Sequence, residues 1–134
     1  MIIYQEFGTE QLPSVERIYR NAGWSAYLGD RDRLCRSIRN SLYTLGAFDG
    51  GELVGFIRCV GDGEHIVYVQ DLIVDAPCKR QGIGTALLRR AEEKYAHVRM
   101  FALVTDAADP ASNAFYAATG MKRLENAGMT GYIR

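Results

Sequence analysis

No stretch of this 134-residue chain approaches the roughly 18 consecutive apolar residues that a membrane-spanning helix requires. Net charge is also absent: sixteen basic residues balance sixteen acidic ones, so no general affinity for nucleic acid or an anionic membrane is expected. The opening MIIYQEFGTEQ has neither a basic segment nor an apolar run, so no secretory leader is expected there and a cytoplasmic setting is the default. Cysteine is scarce and odd in number. Cys35, Cys59 and Cys78 are widely spaced, which argues against a disulfide framework or a zinc site, and no metal is expected. Histidine is limited to His65 and His97, so Cys78, although beside two cations, has no triad-like grouping to make it a nucleophile. Cys35 and Cys59 sit in periodic apolar segments and read as small core residues. Repeats, linkers and low-complexity segments are missing too. What remains, with 48% of residues hydrophobic, is material for one core in a single domain over 1–134.

Read in order, Ile2 to Phe7 predicts a strand. Thr9 and Glu10 open a helix to about Arg20, with Pro13 in the first turn, where its missing N–H costs nothing. Asn21-Ala22-Gly23 stops it, and an aromatic loop, Trp24 to Gly29, follows. Asp30 caps a second helix to about Asn40, with Leu34, Cys35 and Ile38 inward and four arginines forming a solvated face. Tyr43 to Phe48 and Glu52 to Val60 make a hairpin around Asp49-Gly50-Gly51. His65 to Val74 is a long apolar strand, expected to be the central one. After a helix ending near Tyr95, Met100 to Val104 is a strand and Ala111 to Thr119 a helix. Met121 to Leu124 and Met129 to Ile133 predict a closing hairpin around Asn126-Ala127-Gly128.

The stretch that organises the chain is Gln70 to Arg90. Leu72-Ile73-Val74 ends a strand, Asp75-Ala76-Pro77 breaks it, and Lys79-Arg80-Gln81-Gly82-Ile83-Gly84 supplies two cations and two glycines where a helix begins. Ile83, Ala86, Leu87 and Ala91 fall on one face of that helix. A helix start with unpaired N–H groups, a positive dipole end and no side chain in the way seats a phosphate or pyrophosphate. The alternative is an ordinary strand–loop–helix connection with a glycine cap. The spacing matches neither a P-loop nor a dinucleotide fingerprint.

The run Lys79-x-x-Gly82-x-Gly84, preceded by LIVDAP and followed by TALL, closely resembles the acetyl-CoA signature of the GNAT N-acetyltransferases, with lysine where arginine or glutamine is usual. A second resemblance lies in DPASNAFYAATGM from Asp109 to Met121. There Ser112, Phe115, Tyr116 and Gly120-Met121 match, and Asp109 replaces the asparagine that would bond the pantetheine arm. Asn113 would have to substitute from about 100° further round the helix. The element order matches that family along the whole chain. It implies a mixed α/β fold: a twisted, mostly antiparallel sheet splayed between strands 4 and 5, with flanking helices.

The resemblance implies acetyl-CoA as cosubstrate, with its pantetheine arm on the main chain of Leu72, Ile73 and Val74. Lys79, Arg80, Gln81, Gly82, Ile83, Gly84 and Thr85 would hold the pyrophosphate, and Asp109 and Ser112 would touch the arm. Tyr116 matches the family's general acid, a phenol whose pKa near 10 suits a departing thiolate. The alternative for Tyr116 is a tyrosine packed on the sheet. Some relatives place a glutamate base where this chain has Tyr68, so that mechanism does not transfer. Asp71, a carboxylate inside an apolar strand, is the candidate base. Strict alternation points it opposite to Gln70 and Leu72, and pairing with an arginine is the structural alternative. Glu64, His65 or a water chain come next.

The acceptor pocket implied by the family draws on the first helices, their loop and the end of the chain, which nominates Trp24, Tyr27, Tyr43 and Tyr132. Aromatic walls suit an aromatic or aliphatic amine, although aromatic clusters are more often core. The first expectation is therefore acetyl transfer to the primary amine of a small molecule, with a homodimer possible. A protein N-terminus or lysine as acceptor, and a CoA-binding sensor or interaction module without turnover, are the alternatives.

Overall fold

The computed structural model describes residues 1–134 in two compact units, Met1–Leu103 and Val104–Arg134. In the first, the chain forms β1 (Ile2–Glu6), α1 (Leu12–Ala22), α2 (Arg31–Arg39), β2 (Tyr43–Asp49), β3 (Glu52–Gly61), β4 (Ile66–Val74), α3 (Ile83–Lys94) and β5 (Met100–Ala102). One sheet runs β1-β2-β3-β4-β5. Its first four strands are antiparallel and β5 lies parallel to β4, reached through α3 as a parallel pair requires. The central strand is thus β3, not β4 as its apolar run suggests. β3 is paired along both sides, whereas β4 meets β5 only over Ile66–Tyr68.

Helix α1 begins after a short turn at Thr9–Gln11, with Pro13 in its first turn as expected. It stops at Gly23, whose φ of 75° lets Trp24 N–H reach the Tyr19 carbonyl at 2.9 Å and Gly23 N–H the Arg20 carbonyl at 3.1 Å. That closed turn carries the chain straight into the aromatic loop. Asp30 caps α2 by accepting from Arg33 N–H at 3.0 Å. Leu12, Val15, Ile18 and Tyr19 of α1 join Leu34 and Ile38 of α2, with Phe7, Phe48, Leu53, Phe56 and Ile73 from the sheet side, in one core. Fully burying such a side chain contributes about 1.5–3 kcal/mol. On β2, β3 and β4 also packs α3, which buries Ile83, Leu87, Leu88 and Ala91. Leu88 was not expected on that face.

In the second unit, α4 (Pro110–Ala118) is followed by a 3-10 turn at Leu124–Ala127. The closing hairpin predicted for Met121–Leu124 and Met129–Ile133 does not form. Asn126 N–H bonds the Arg123 carbonyl, Gly128 N–H bonds Glu125, and Met129 N–H bonds Leu124. Those local turns use up the groups that a strand ladder would need. No helix is long and apolar enough to cross a membrane.

Candidate active site

Strand β4 carries a β-bulge. Arg58 pairs with Asp71 and Cys59 with Val69, so Gln70 is one residue more than β3 can match. Strict alternation would set Val67, Val69, Asp71 and Ile73 on one face. Instead Ile73 joins the core under α1 and Asp71 bonds Tyr19 of α1, while Val67 and Val69 are buried outside that cluster. The expectation that Asp71 points away from Gln70 is therefore overturned: both bond the same hydroxyl, that of Tyr27. A two-residue period cannot foresee this, because the bulge resets it.

Asp71 is 2% exposed and sits at the centre of a polar cluster. Its Oδ2 accepts from Tyr19 Oη at 2.7 Å and from Arg58 Nε at 2.7 Å, and its Oδ1 accepts from Tyr27 Oη at 2.8 Å. Arg58 reaches on through Nη1 to Ser41 Oγ at 3.3 Å, and Gln70 Nε2 donates to Tyr27 Oη at 2.9 Å. Burial holds the Tyr19 phenol above its usual pKa, with the Asp71 charge adding to it. Tyr27 is also raised, first by burial; the bond from Gln70 works the other way, and the Asp71 charge raises it again. Burial disfavours the Arg58 cation, but Asp71 beside it more than compensates, so its pKa is raised. A carboxylate with three donors, one of them an arginine, is an anchor, not a base open to substrate. The arginine-pairing alternative is what the geometry favours.

The aromatic loop closes over this cluster. The Tyr19 ring is stacked with Tyr27 at 4.6 Å between centroids and with Trp24 at 5.9 Å. Trp24 remains 37% exposed. Among the other nominated acceptor residues, Tyr43 does not join them. Tyr43 is buried against Tyr95 at 5.7 Å, with Lys94 over its ring at 5.3 Å, because it faces the α3 side of the sheet. Tyr132, in the second unit, is 96% exposed.

Beyond Tyr68, β4 has a strand neighbour only in β3, so Val69–Val74 present a free main-chain edge on the β5 side. Leu72, Ile73 and Val74 lie on that edge, which leads through Ala76–Cys78 into the glycine turn. Gly82 caps α3 with φ 78°, and Arg80 also adopts a left-handed φ of 67°. No side chain caps α3, and a Cβ at residue 82 would meet nothing within 4 Å. Lys79, Arg80, Gln81 and Thr85 are exposed around that start, Gly84 is half-buried and Ile83 is buried as the helix's first core residue. Room, unpaired N–H groups and two cations coincide there, which fits a pyrophosphate.

In the second unit, Asp109 caps α4. Its Oδ1 accepts from Ala111 N–H at 3.1 Å and its Oδ2 accepts from Ser112 Oγ at 2.7 Å. Asn113, the suggested substitute, donates through Nδ2 to the carbonyls of Asp106 and Asp109 at 2.9 and 2.7 Å. Tyr116 is half-buried beside Phe115, and burial raises its pKa.

Sequence reasoning missed Tyr19, Arg58 and Gln70. Arg58 carried a readable signal, a lone charge inside the apolar run Leu53 to Val60, matching Asp71 in the next strand. Tyr19 looked like any buried helix residue.

The acetyltransferase (GNAT) family profile matches residues 6–121. A GNAT-family acetyltransferase from Streptococcus pneumoniae TIGR4 superposes with a TM-score of 0.84 at 34% identity, over 100% of this chain and 96% of that one. The PaiA N-acetyltransferase of Thermoplasma acidophilum, solved with coenzyme A, aligns at 20% identity and TM-score 0.76, covering 91% and 90% of the two chains. An aminoglycoside acetyltransferase from an uncultured soil metagenomic sample, solved with sisomicin, aligns at 18% identity and TM-score 0.76, covering 99% and 94%. A search of curated proteins returns no match.

Proposed function

The chain belongs to the acetyltransferase (GNAT) family, and from that premise we propose that it moves the acetyl group of acetyl-CoA directly to a primary amine of a small molecule. The observation that carries this reading is on one strand. β4 offers a free main-chain edge over Val69–Val74 and runs into an uncapped, left-handed glycine turn at the start of α3.

The N–H groups of Arg80 to Thr85 hold the pyrophosphate in this reading, with Lys79 and Arg80 adding charge. Lys79 contributes a point charge and not a planar fork. The main chain of Leu72, Ile73 and Val74 pairs the pantetheine arm as an added strand, and Asp109 and Ser112 are assigned to the arm by their motif. The bulge leaves a β4 residue out of the ladder, and a fixed main-chain donor of that kind suits the developing oxyanion. Tyr116 supplies the proton to the departing thiolate; a phenol is protonated at neutral pH, and burial moves its pKa further up. No base role is assigned to Asp71, which is buried with both oxygens hydrogen-bonded, so the ammonium proton leaves to solvent.

Calorimetric titration with acetyl-CoA and with free CoA, followed by a thiol-release screen over small amines and peptides, tests the assignment. Micromolar acetyl-CoA binding and amine-dependent thiol release are expected. Release only with peptides would move the acceptor class to proteins. Binding without turnover would favour a sensor, and no binding would sink the reading.

A further inference from the structure

The acceptor side of this reading rests on which groups β4 presents at its bulge, and there the hydrogen bonds have a direction. Asp71 is the ion-pair partner of Arg58, with Nε–Oδ2 2.7 Å, so it only accepts. Tyr27 lies 2.8 Å from Asp71 Oδ1 and must spend its one hydroxyl proton there. Its oxygen can then only accept from Gln70, at 2.9 Å, which turns the Gln70 amide nitrogen toward Tyr27 and its carbonyl oxygen away. Gln70 is exposed. The result is an outward, oriented carbonyl beside Tyr27, held through the half-buried Tyr27 hydroxyl to the buried Asp71.

The location agrees with the cosubstrate path proposed above. Val74 to Gln70 spans roughly 13 Å of extended backbone. An arm entering at the glycine turn and running back along β4 brings its far end to Gln70.

We propose that Gln70 seats the acceptor amine, its side-chain carbonyl receiving an amine N–H, while Asp71 acts through Tyr27 as a positioning residue. This deepens the proposed acetyl transfer and depends on it. An amide carbonyl accepts a hydrogen bond but takes no proton, so the seat orients the nitrogen and leaves deprotonation to solvent. The class of acceptor follows from the charges. The carboxylate behind the seat is neutralised by Arg58, whose guanidinium also lies 5.7 Å from the Tyr27 ring centroid, so a second or third ammonium gains nothing there, while the half-buried Tyr27 ring and the exposed Trp24 of the same loop offer apolar surface. The fitting acceptor is a monoamine with an apolar body, in contrast to a polyamine.

Isotope-labelled protein is titrated first with acetyl-CoA, then, in the presence of CoA, with phenethylamine and with spermidine, each followed by amide spectra. Acetyl-CoA is expected to move the backbone signals of Gly82 to Thr85. Phenethylamine is expected to move the Gln70 side-chain amide. Tyr27→Phe, which keeps the ring but frees the Gln70 amide, weakens phenethylamine by about tenfold while leaving acetyl-CoA affinity in place; the bond it takes from buried Asp71 lowers the thermal midpoint, whereas Gln70→Ala, at an exposed side chain, leaves the midpoint unchanged. Gln70→Ala weakens it similarly. If acetyl-CoA responds as expected but the Gln70 signal stays still, or both variants keep full amine affinity, the seat is wrong and the cosubstrate reading survives. Tighter binding of spermidine than of phenethylamine overturns the monoamine class. No response to acetyl-CoA overturns the reading underneath.

Discussion

Arg58 on β3 and Asp71 on β4 are direct cross-strand partners, and the bond between them, Nε to Oδ2 at 2.7 Å, is buried at both ends. Two further donors, Tyr19 and Tyr27, complete the carboxylate. Removing one partner of such a pair leaves a charge without compensation. Arg58→Leu should lower unfolding free energy by about 3–5 kcal/mol. The double variant Arg58→Leu, Asp71→Leu should recover part of that loss, read by chemical denaturation as a double-mutant cycle. Additive losses would mean the two residues are uncoupled.

Gly82 tests the turn without touching the core. Its φ of 78° lies where side chains are strained, and the space beyond its Cα is open. Gly82→Ala should therefore cost about 1–2 kcal/mol through the backbone alone. Acetyl-CoA affinity should fall further than that stability change predicts, because the Cβ enters the space assigned to a phosphate. Calorimetry beside thermal denaturation separates the two effects.

Tyr116→Phe should reduce kcat by about a hundredfold or more while leaving acetyl-CoA binding unchanged. Because burial raises the Tyr116 pKa, the alkaline fall of the wild-type rate should lie above the ordinary tyrosine value of about 10. Unchanged kcat in the variant would remove Tyr116 from the chemistry.

Alkaline stability should report the tyrosines around Asp71. Burial, with the Asp71 charge behind it, holds the Tyr19 pKa above its unfolded value, and Tyr27 is raised as well. The folded state keeps these protons when the unfolded chain has lost them. Their contribution is therefore full below about pH 10 and declines as pH rises further. Tyr19→Phe should flatten that decline in denaturation curves measured across the alkaline range.

At the acid end the marker is Asp62. Its Oδ1 accepts from the N–H groups of Glu64, His65 and Ile66, and these bonds pull its pKa down to about 2. The sign is opposite: the β3–β4 turn keeps this support above the unfolded value of about 3.9 and loses it as pH falls through the folded one. A carboxyl titration by NMR that placed Asp62 at its unfolded value would contradict the turn geometry.

Much of the fold was legible because its signals are local. Asp30 in front of α2, Gly23 after α1 and the Asp49-Gly50-Gly51 hairpin each act within a few residues. The glycine turn was legible for the same reason. The acceptor side was not, because it depends on pairing. Tyr43 read as a pocket aromatic, yet the register of β2 against β3 sends it under α3. The closing hairpin had a strand-like pattern, but bonds from Gly128 to Glu125 and from Met129 to Leu124 close it locally. The departure from alternation at Gln70 exists only when β4 is laid beside β3.

That surplus residue can be separated from the architecture. Deleting Gln70 would bring Asp71 next to Val69 and restore an unbroken ladder, with Arg58 still opposite Asp71 and Cys59 still opposite Val69. The shortened chain should fold with its buried pair intact and its glycine turn unchanged. What it would lose is one outward side chain together with the out-of-ladder main-chain donor assigned to the oxyanion. Architecture on the one hand, acceptor seat and oxyanion donor on the other, would then be written in separable letters of one strand, so one codon could shed both without rebuilding the sheet.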